Sequence, residues 1–361
     1  MNPVMPAPVP VPLPAPVWLL QLLLVFTFVL HLVPMNLLAG GSVMLSLSSF
    51  LGRRDLRHRE FARRASRVVP PVVAFTITFG VAPLLFLQLL YGQLFYTSSV
   101  LIAWAWLAVV LLVMLGYYGI YWFGMQHEEL GPRAVWVILA AAFLFILVAF
   151  IFTQNMSFML RPQHFYSQYL KGEVGTSLGP LTTASAARLA HFLVAAMAVS
   201  GLGVALLSRA WRREAPELAE WARGYGVKWF MAGTGVEILV GLWFLFSLPQ
   251  EIRGMFLGSD KLSTAILVVA IVLALLALVA APKSPAASSV AIVGTISLMA
   301  VIRHLVRVTY LHPYFDPRTL PVQGQWPVFV LFAVLLVGGL ATVGWMVYVF
   351  FRPVATRATS E

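Results

Sequence analysis

The stretch Leu181–Glu214, LTTASAARLAHFLVAAMAVSGLGVALLSRAWRRE, decides the fold. From about residue 182 to 208 it is an apolar run long enough to cross a hydrocarbon core of ~30 Å. A segment in that solvent must be a helix, because its backbone groups find no water to bond. The run stops on Arg209, Arg212 and Arg213, the kind of basic cluster that stays on the cytoplasmic side. Two residues break its apolar character, Arg188 and His191, and a polar group inside a span is costly enough to need a reason.

Working outward, similar runs lie at about 17–50, 68–92, 98–124, 132–155, 222–248, 262–281, 286–310 and 327–351. The first exceeds one bilayer, so its part from Ala39–Gly40–Gly41 onward is expected to extend past the membrane or to tilt. Composition agrees. The chain has 361 residues, of which 60% are hydrophobic and 10% charged, against roughly 25% charged in a soluble domain. A soluble enzyme, a disordered tail and a fibre are excluded. With no cysteine, disulfides, thiolate metal sites, iron–sulfur clusters and covalently attached haem are excluded too.

The expected fold is an all-α integral membrane protein, a bundle of about nine transmembrane helices. Its orientation follows from Lys and Arg. Seven arginines lie between Arg53 and Arg67 and five basic residues between Arg209 and Lys228. With Arg133, Lys283, Arg352 and Arg357 they put 16 basic residues on one side, against five on the other: Arg161, Lys171, Arg253, Lys261 and Arg318. The richer side is expected to be cytoplasmic. A Pro-rich N-terminus (1–16) then lies outside, a single helical domain spans 17–351, and the tail 352–361 lies inside. No basic region precedes the first run, so no cleaved signal is expected. The net charge of +11 reports these loops, and nucleic acid is not an expected partner. The segment 156–181, with Asn155, Arg161, His164, Tyr166 and Tyr169 in or beside it, reads as the longest outer loop. His58 and His127 read as solvated in cytoplasmic loops.

Few ionisable residues lie inside the runs: His31, Arg188, His191, Glu237, Arg303, His304 and Arg307. His191 and His304 sit roughly 10–15 Å below the outer surface at 1.5 Å per residue. His31 is nearer the middle. Three imidazoles on three helices suggest a cofactor cluster, and imidazole is an axial ligand of haem iron. Arg188 is three residues before His191, and Arg303 and Arg307 are four apart with His304 beside them. Such arginines suit haem propionates, since a guanidinium pairs with a carboxylate through two hydrogen bonds. Each histidine alone reads equally as an interhelical hydrogen-bonding residue. Glu237 reads as a partner for one of the arginines or as a proton carrier.

His31-Leu32-Val33-Pro34 followed by Gly40-Gly41, Gly80-Val81-Ala82 followed by Gln88 and Gly92, and Arg188-Leu189-Ala190-His191 together resemble subunit I of cytochrome bd quinol oxidase. The resemblance covers about residues 17–250. It implies nine helices with the N-terminus outside, haem ligation by His31 and His191, and Gln88 at a position where the family has a glutamate. This chain departs from the family in several places. It has no Met between Lys261 and Ala281, a short segment from Ser247 to Lys261 where the family has its long quinol loop, no carboxylate on the third run, and Ile302-Arg303-His304 where the family has a glutamate ligand.

The expected function is therefore a membrane haem b electron-transfer subunit in a bacterial inner membrane. It would work between the quinone pool and a periplasmic redox partner such as a c-type cytochrome, as a quinol oxidoreductase subunit of a larger complex. The expected ligands are His191, His31 and His304, the propionate partners Arg188, Arg303 and Arg307, and the proton or quinone contacts Glu237 and Gln88. A divergent oxygen-reducing quinol oxidase and a cofactor-free membrane anchor or transporter are the alternatives.

Overall fold

The computed structural model describes residues 6–7, 11–171, 175–176, 178–179 and 181–351. Residues 1–5 and 8–10 of the Pro-rich start and the whole tail 352–361, with Arg352 and Arg357, lie outside the described residues. Nine of the described helices are long and apolar enough to cross a membrane, as the runs predict. With one helix of 11 residues, the main elements are α1 Val17–Leu51, α2 Leu56–Ser66, α3 Val69–Leu101, α4 Ala103–Met125, α5 Ala134–Met159, α6 Thr183–Leu207, α7 Pro216–Ser247, α8 Lys261–Ala280, α9 Pro285–Leu311 and α10 Trp326–Phe351.

Small residues set the packing, since lipid offers no hydrophobic drive between helices and close backbone approach must supply the contact. The Gly40-Gly41 step does not interrupt α1, which runs 35 residues as one helix with Pro34 inside it. Gly40 is where α1 meets α6: a Cβ there would run into the Ala196 backbone. Ser200 donates from Oγ to the Asn36 carbonyl at 2.8 Å in the same contact. Gly201 and Gly226 face each other between α6 and α7 in the same way. At 1.5 Å per residue α1 is about 50 Å long, so it outreaches the hydrocarbon layer or tilts through it.

Three expectations need correction. The second run does not stop near 92: α3 continues to Leu101 through a kink at Tyr91 (φ −134°, ψ 30°). Asn155 is not in a loop. It is buried in α5, where Nδ2 donates to Ser99 Oγ on α3 at 2.9 Å. His58 is half-buried rather than solvated. It sits on α2, edge-on to Trp221 at 4.8 Å and Tyr225 at 5.3 Å, while His127 is edge-on to Phe123 at 4.8 Å.

The arginine-rich end is organised by α2. Asp55 caps it by accepting from the Arg57 backbone N–H at 2.9 Å. Glu60 pairs with Arg63 at 2.6 Å and Arg64 at 2.7 Å. At the opposite end the chain start is tied to the segment before α10. The Leu13 N–H donates to the Pro321 carbonyl at 2.7 Å, Gln323 N–H to Leu13 at 2.9 Å and Gln325 N–H to Pro14 at 2.8 Å.

Candidate functional site

Between α1, α3, α4, α5, α6 and α9 lies a cavity of about 360 Å³. Its wall is mostly apolar, with Phe28, Leu32 and Met35 from α1 and Phe145 and Phe152 from α5. Into it reach His31 from α1, Arg188 from α6, and Arg303, His304 and Arg307 from α9. Helical spacing explains the α9 set: residues four apart share a face, and His304 lies beside them on the turn.

His31 is held in one orientation. Its Nδ1 lies 2.9 Å from the Thr76 carbonyl of α3. A carbonyl only accepts, so Nδ1 carries the proton and Nε2 keeps its lone pair. Gly80, one turn along α3, leaves room for the ring: a Cβ there would stand 3.0 Å from Cε1 and Nδ1. His304 has no such support, because its buried Nδ1 has no hydrogen-bond partner.

The arginines are deeply placed and face rings and hydroxyls instead of carboxylates. Arg303 lies over Phe28 at 4.4 Å and Phe192 at 5.4 Å. Arg307 lies over Tyr91 at 5.8 Å. Arg188 donates to Ser157 Oγ at 2.9 Å and lies over Phe244 at 5.5 Å. Among the described residues, none of the three has an Asp or Glu within ion-pair distance. Cation–π contacts at desolvated sites contribute on the order of 2 kcal/mol each, less than removing a charge from water costs. The cavity is thus a cationic, apolar-walled space suited to a ligand with an apolar body and more than one negative charge.

The expected cluster of three histidines is only partly brought together. His31 and His304 share the cavity; His191 is not in its wall. Although Arg188 and His191 are one turn apart on α6, the guanidinium enters the cavity and the imidazole turns to α7. There Nδ1 lies 2.7 Å from Glu237 Oε1, close in distance though not in line. The expectation that Glu237 pairs with an arginine is corrected accordingly: the basic side chain beside its carboxyl is His191, and no arginine lies within ion-pair distance of it among the described residues. Phe244 borders both groups, with its ring 5.9 Å from His191. Gln88 is half-buried on α3 and stands outside the cavity wall, next to Leu87, which is in it. The Thr76 carbonyl and Ser157 escaped the sequence reading; one is a backbone group and the other a common small polar residue.

No family model and no curated protein matches the sequence. Among solved structures, the fold is similar to a chain of the bd oxidase from Geobacillus thermodenitrificans. The TM-score is 0.73 over 93% of this chain and 98% of that one, at 15% sequence identity. At that identity the likeness speaks to the fold: the all-helical membrane bundle expected from the sequence is the architecture of a bd oxidase chain.

Proposed function

We propose that this protein is a membrane haem b electron-transfer subunit of the bacterial inner membrane. It exchanges electrons between the quinone pool and a periplasmic redox partner such as a c-type cytochrome. One observation carries the reading: two imidazoles and three arginines without a carboxylate partner surround a single apolar cavity. That donor set fits haem, whose macrocycle is apolar and whose two propionates are anionic. His31 and His304 would hold the iron, and Arg188, Arg303 and Arg307 would pair with the propionates. His191, on the α7 side of α6, is the candidate ligand of a further haem. Glu237 and Gln88 remain candidate proton or quinone contacts.

When bound, haem supplies the one-electron chemistry; the protein supplies ligation, charge and exclusion of water. The Thr76 carbonyl holds the His31 Nδ1 proton, so that Nε2 would be the nitrogen free to coordinate. The buried guanidinium groups favour the more negative oxidation state of whatever they surround. The apolar wall keeps their field unscreened. A reduced-minus-oxidised optical spectrum with haem extraction from the purified protein tests the reading, and a preparation with no Soret band overturns it.

The likeness in fold to a bd oxidase favours a second reading, a divergent quinol oxidase that reduces oxygen. Oxygen uptake with a reduced quinol as donor separates the two: sustained uptake supports the oxidase, and its absence with intact haem supports electron transfer alone.

A further inference from the structure

Beside the large cavity lies a far smaller one, a chamber of about 10 Å³ whose polar wall is Ser157, Arg161, Thr182, Ser185, Arg188 and Tyr310. It has room for one body about the size of a water molecule. Arg188 belongs to the walls of both spaces.

The chamber wall is held by its own hydrogen bonds. Two hydroxyls orient two guanidinium groups: Arg188 Nη1 donates to Ser157 Oγ at 2.9 Å, and Arg161 Nη2 to Thr182 Oγ1 at 3.2 Å. Thr182 is also the N-cap of α6, and the cap is reciprocal. The Ser185 N–H donates to Thr182 Oγ1 at 3.2 Å, and the Thr182 N–H to Ser185 Oγ at 3.0 Å. The positive end of a 25-residue helix thus contributes to the same wall. Arg188 is only 9% exposed and Arg161 is half-buried. Among the described residues neither has a carboxylate within ion-pair distance.

Counting donors decides what fits. Arginine only donates. Thr182 Oγ1 already accepts from Arg161 and from the Ser185 N–H. Ser185 Oγ accepts from the Thr182 N–H and donates to the Thr182 carbonyl at 2.9 Å. These two oxygens are therefore committed within the protein. A water in the chamber needs acceptors for its own protons as well as donors, and it leaves both guanidinium charges unpaired. An anion needs only donors, and it supplies the charge that the arginines lack.

We infer that the chamber binds one small inorganic anion, of about the size of chloride, between Arg161 and Arg188. The inference stands apart from the haem reading. It adds a means of regulation, because Arg188 is common to both walls. The bound anion offsets part of the positive charge that the large cavity meets, and the anion concentration in the surrounding solution sets how much.

The test follows thermal unfolding of the purified full chain as sodium gluconate is exchanged for sodium chloride at constant ionic strength, which holds screening fixed. An anion that binds the folded state alone raises the midpoint progressively with its concentration. Chloride, and bromide likewise, should do so, while gluconate is too large to enter. Arg161 and Ser157 lie outside the wall of the large cavity, so their variants test the chamber without altering that wall. Arg161→Gln removes a charged donor and should weaken chloride binding about tenfold or more. Should that variant not assemble, Ser157→Ala carries the test: it releases Arg188 from its orienting hydroxyl and should weaken binding too, read directly from the line width of the chloride magnetic resonance. Equal midpoints in the two salts, or a chloride effect undiminished in both variants, overturn the inference. An effect that appears only after haem extraction also overturns it, because a propionate then fills the chamber in place of a free ion.

Discussion

On one side of α6, Arg188 and Phe192 border a cavity that gathers three guanidinium groups and no carboxylate; on the other, His191 meets Glu237 across 2.7 Å. The first side is left cationic by the protein, so an anionic ligand must complete it. On the second, an imidazole and a carboxylate stand in close contact, and no arginine or lysine lies within ion-pair distance of that carboxylate among the described residues. One helix thus separates two electrostatic environments. The contrast predicts two centres instead of one cluster, with the potential of the cavity centre raised by its arginines.

The largest expected effects come from removing the ligands. His31→Ala and His191→Ala should each delete a different component of the reduced-minus-oxidised spectrum, nearly completely, while helix content by circular dichroism stays close to that of the parent. Loss of the same component in both variants would break the two-sided picture. His304 sharpens it further. If its imidazole closes the coordination of the cavity centre, the reduced protein binds little carbon monoxide, and His304→Ala either creates a binding site or loses that haem. Strong binding by the unaltered protein would return the cavity to gas chemistry.

Smaller effects distinguish the two rings' surroundings. Gly80→Ala pushes a methyl to 3.0 Å from the His31 ring, tighter than ordinary contact, whereas Gly241→Ala brings one only to 3.6 Å from His191. The first should shift the Soret maximum and haem retention of the cavity component; the second should leave the His191 component in place. Equal sensitivity would show that the glycines are packing residues of equivalent kind. Arg188→Gln should keep haem bound and lower the cavity component's midpoint potential by roughly 60 mV, the one-electron equivalent of a tenfold change. An unshifted redox titration would remove Arg188 from the cationic side.

The smallest effect lies far from both centres. Hydrogen bonds from Arg63, then Arg64, hold the Glu60 carboxyl at a pKa of about 2, down from an ordinary 4.5. The group therefore contributes stability that is complete above about pH 4.5 and is lost as pH falls toward 2. Because this carboxylate is 36% exposed, solvent screening limits the effect to about 1 kcal/mol or less. Thermal unfolding in detergent at pH 3 and pH 5, with Glu60→Gln alongside, measures it, and a variant that lost as much stability on acidification as the parent would exclude Glu60 as the cause.

Much of this arrangement was legible in the sequence because lipid penalises charge. The nine apolar runs announce the spans, and the few ionisable residues inside them had to be held by something. For His31, His304 and the three arginines that reasoning leads directly to the cavity wall. It fails for His191 because helical spacing gives the direction of a Cα–Cβ bond and not where a long side chain ends. Arg188 and His191 start from neighbouring positions, yet a flexible guanidinium reaches one way and a short imidazole the other. The His31 support was invisible for another reason: its acceptor is the Thr76 backbone carbonyl, a group every residue has. The extent of α3 was misjudged because Tyr91-Gly92-Gln93 reads as the polar end of a run, whereas the helix bends there and continues.

The hydrogen bonds that join Leu13 and Pro14 to Pro321, Gln323 and Gln325 impose an order on biosynthesis. Leu13 and Pro14 are made long before Pro321, and closing so long a loop is slow compared with local helix formation. α1, which carries His31, is thus made before the segment that fastens its N-terminal end. Until that segment is made, the wall that α1 contributes to the cavity is held by its neighbours alone.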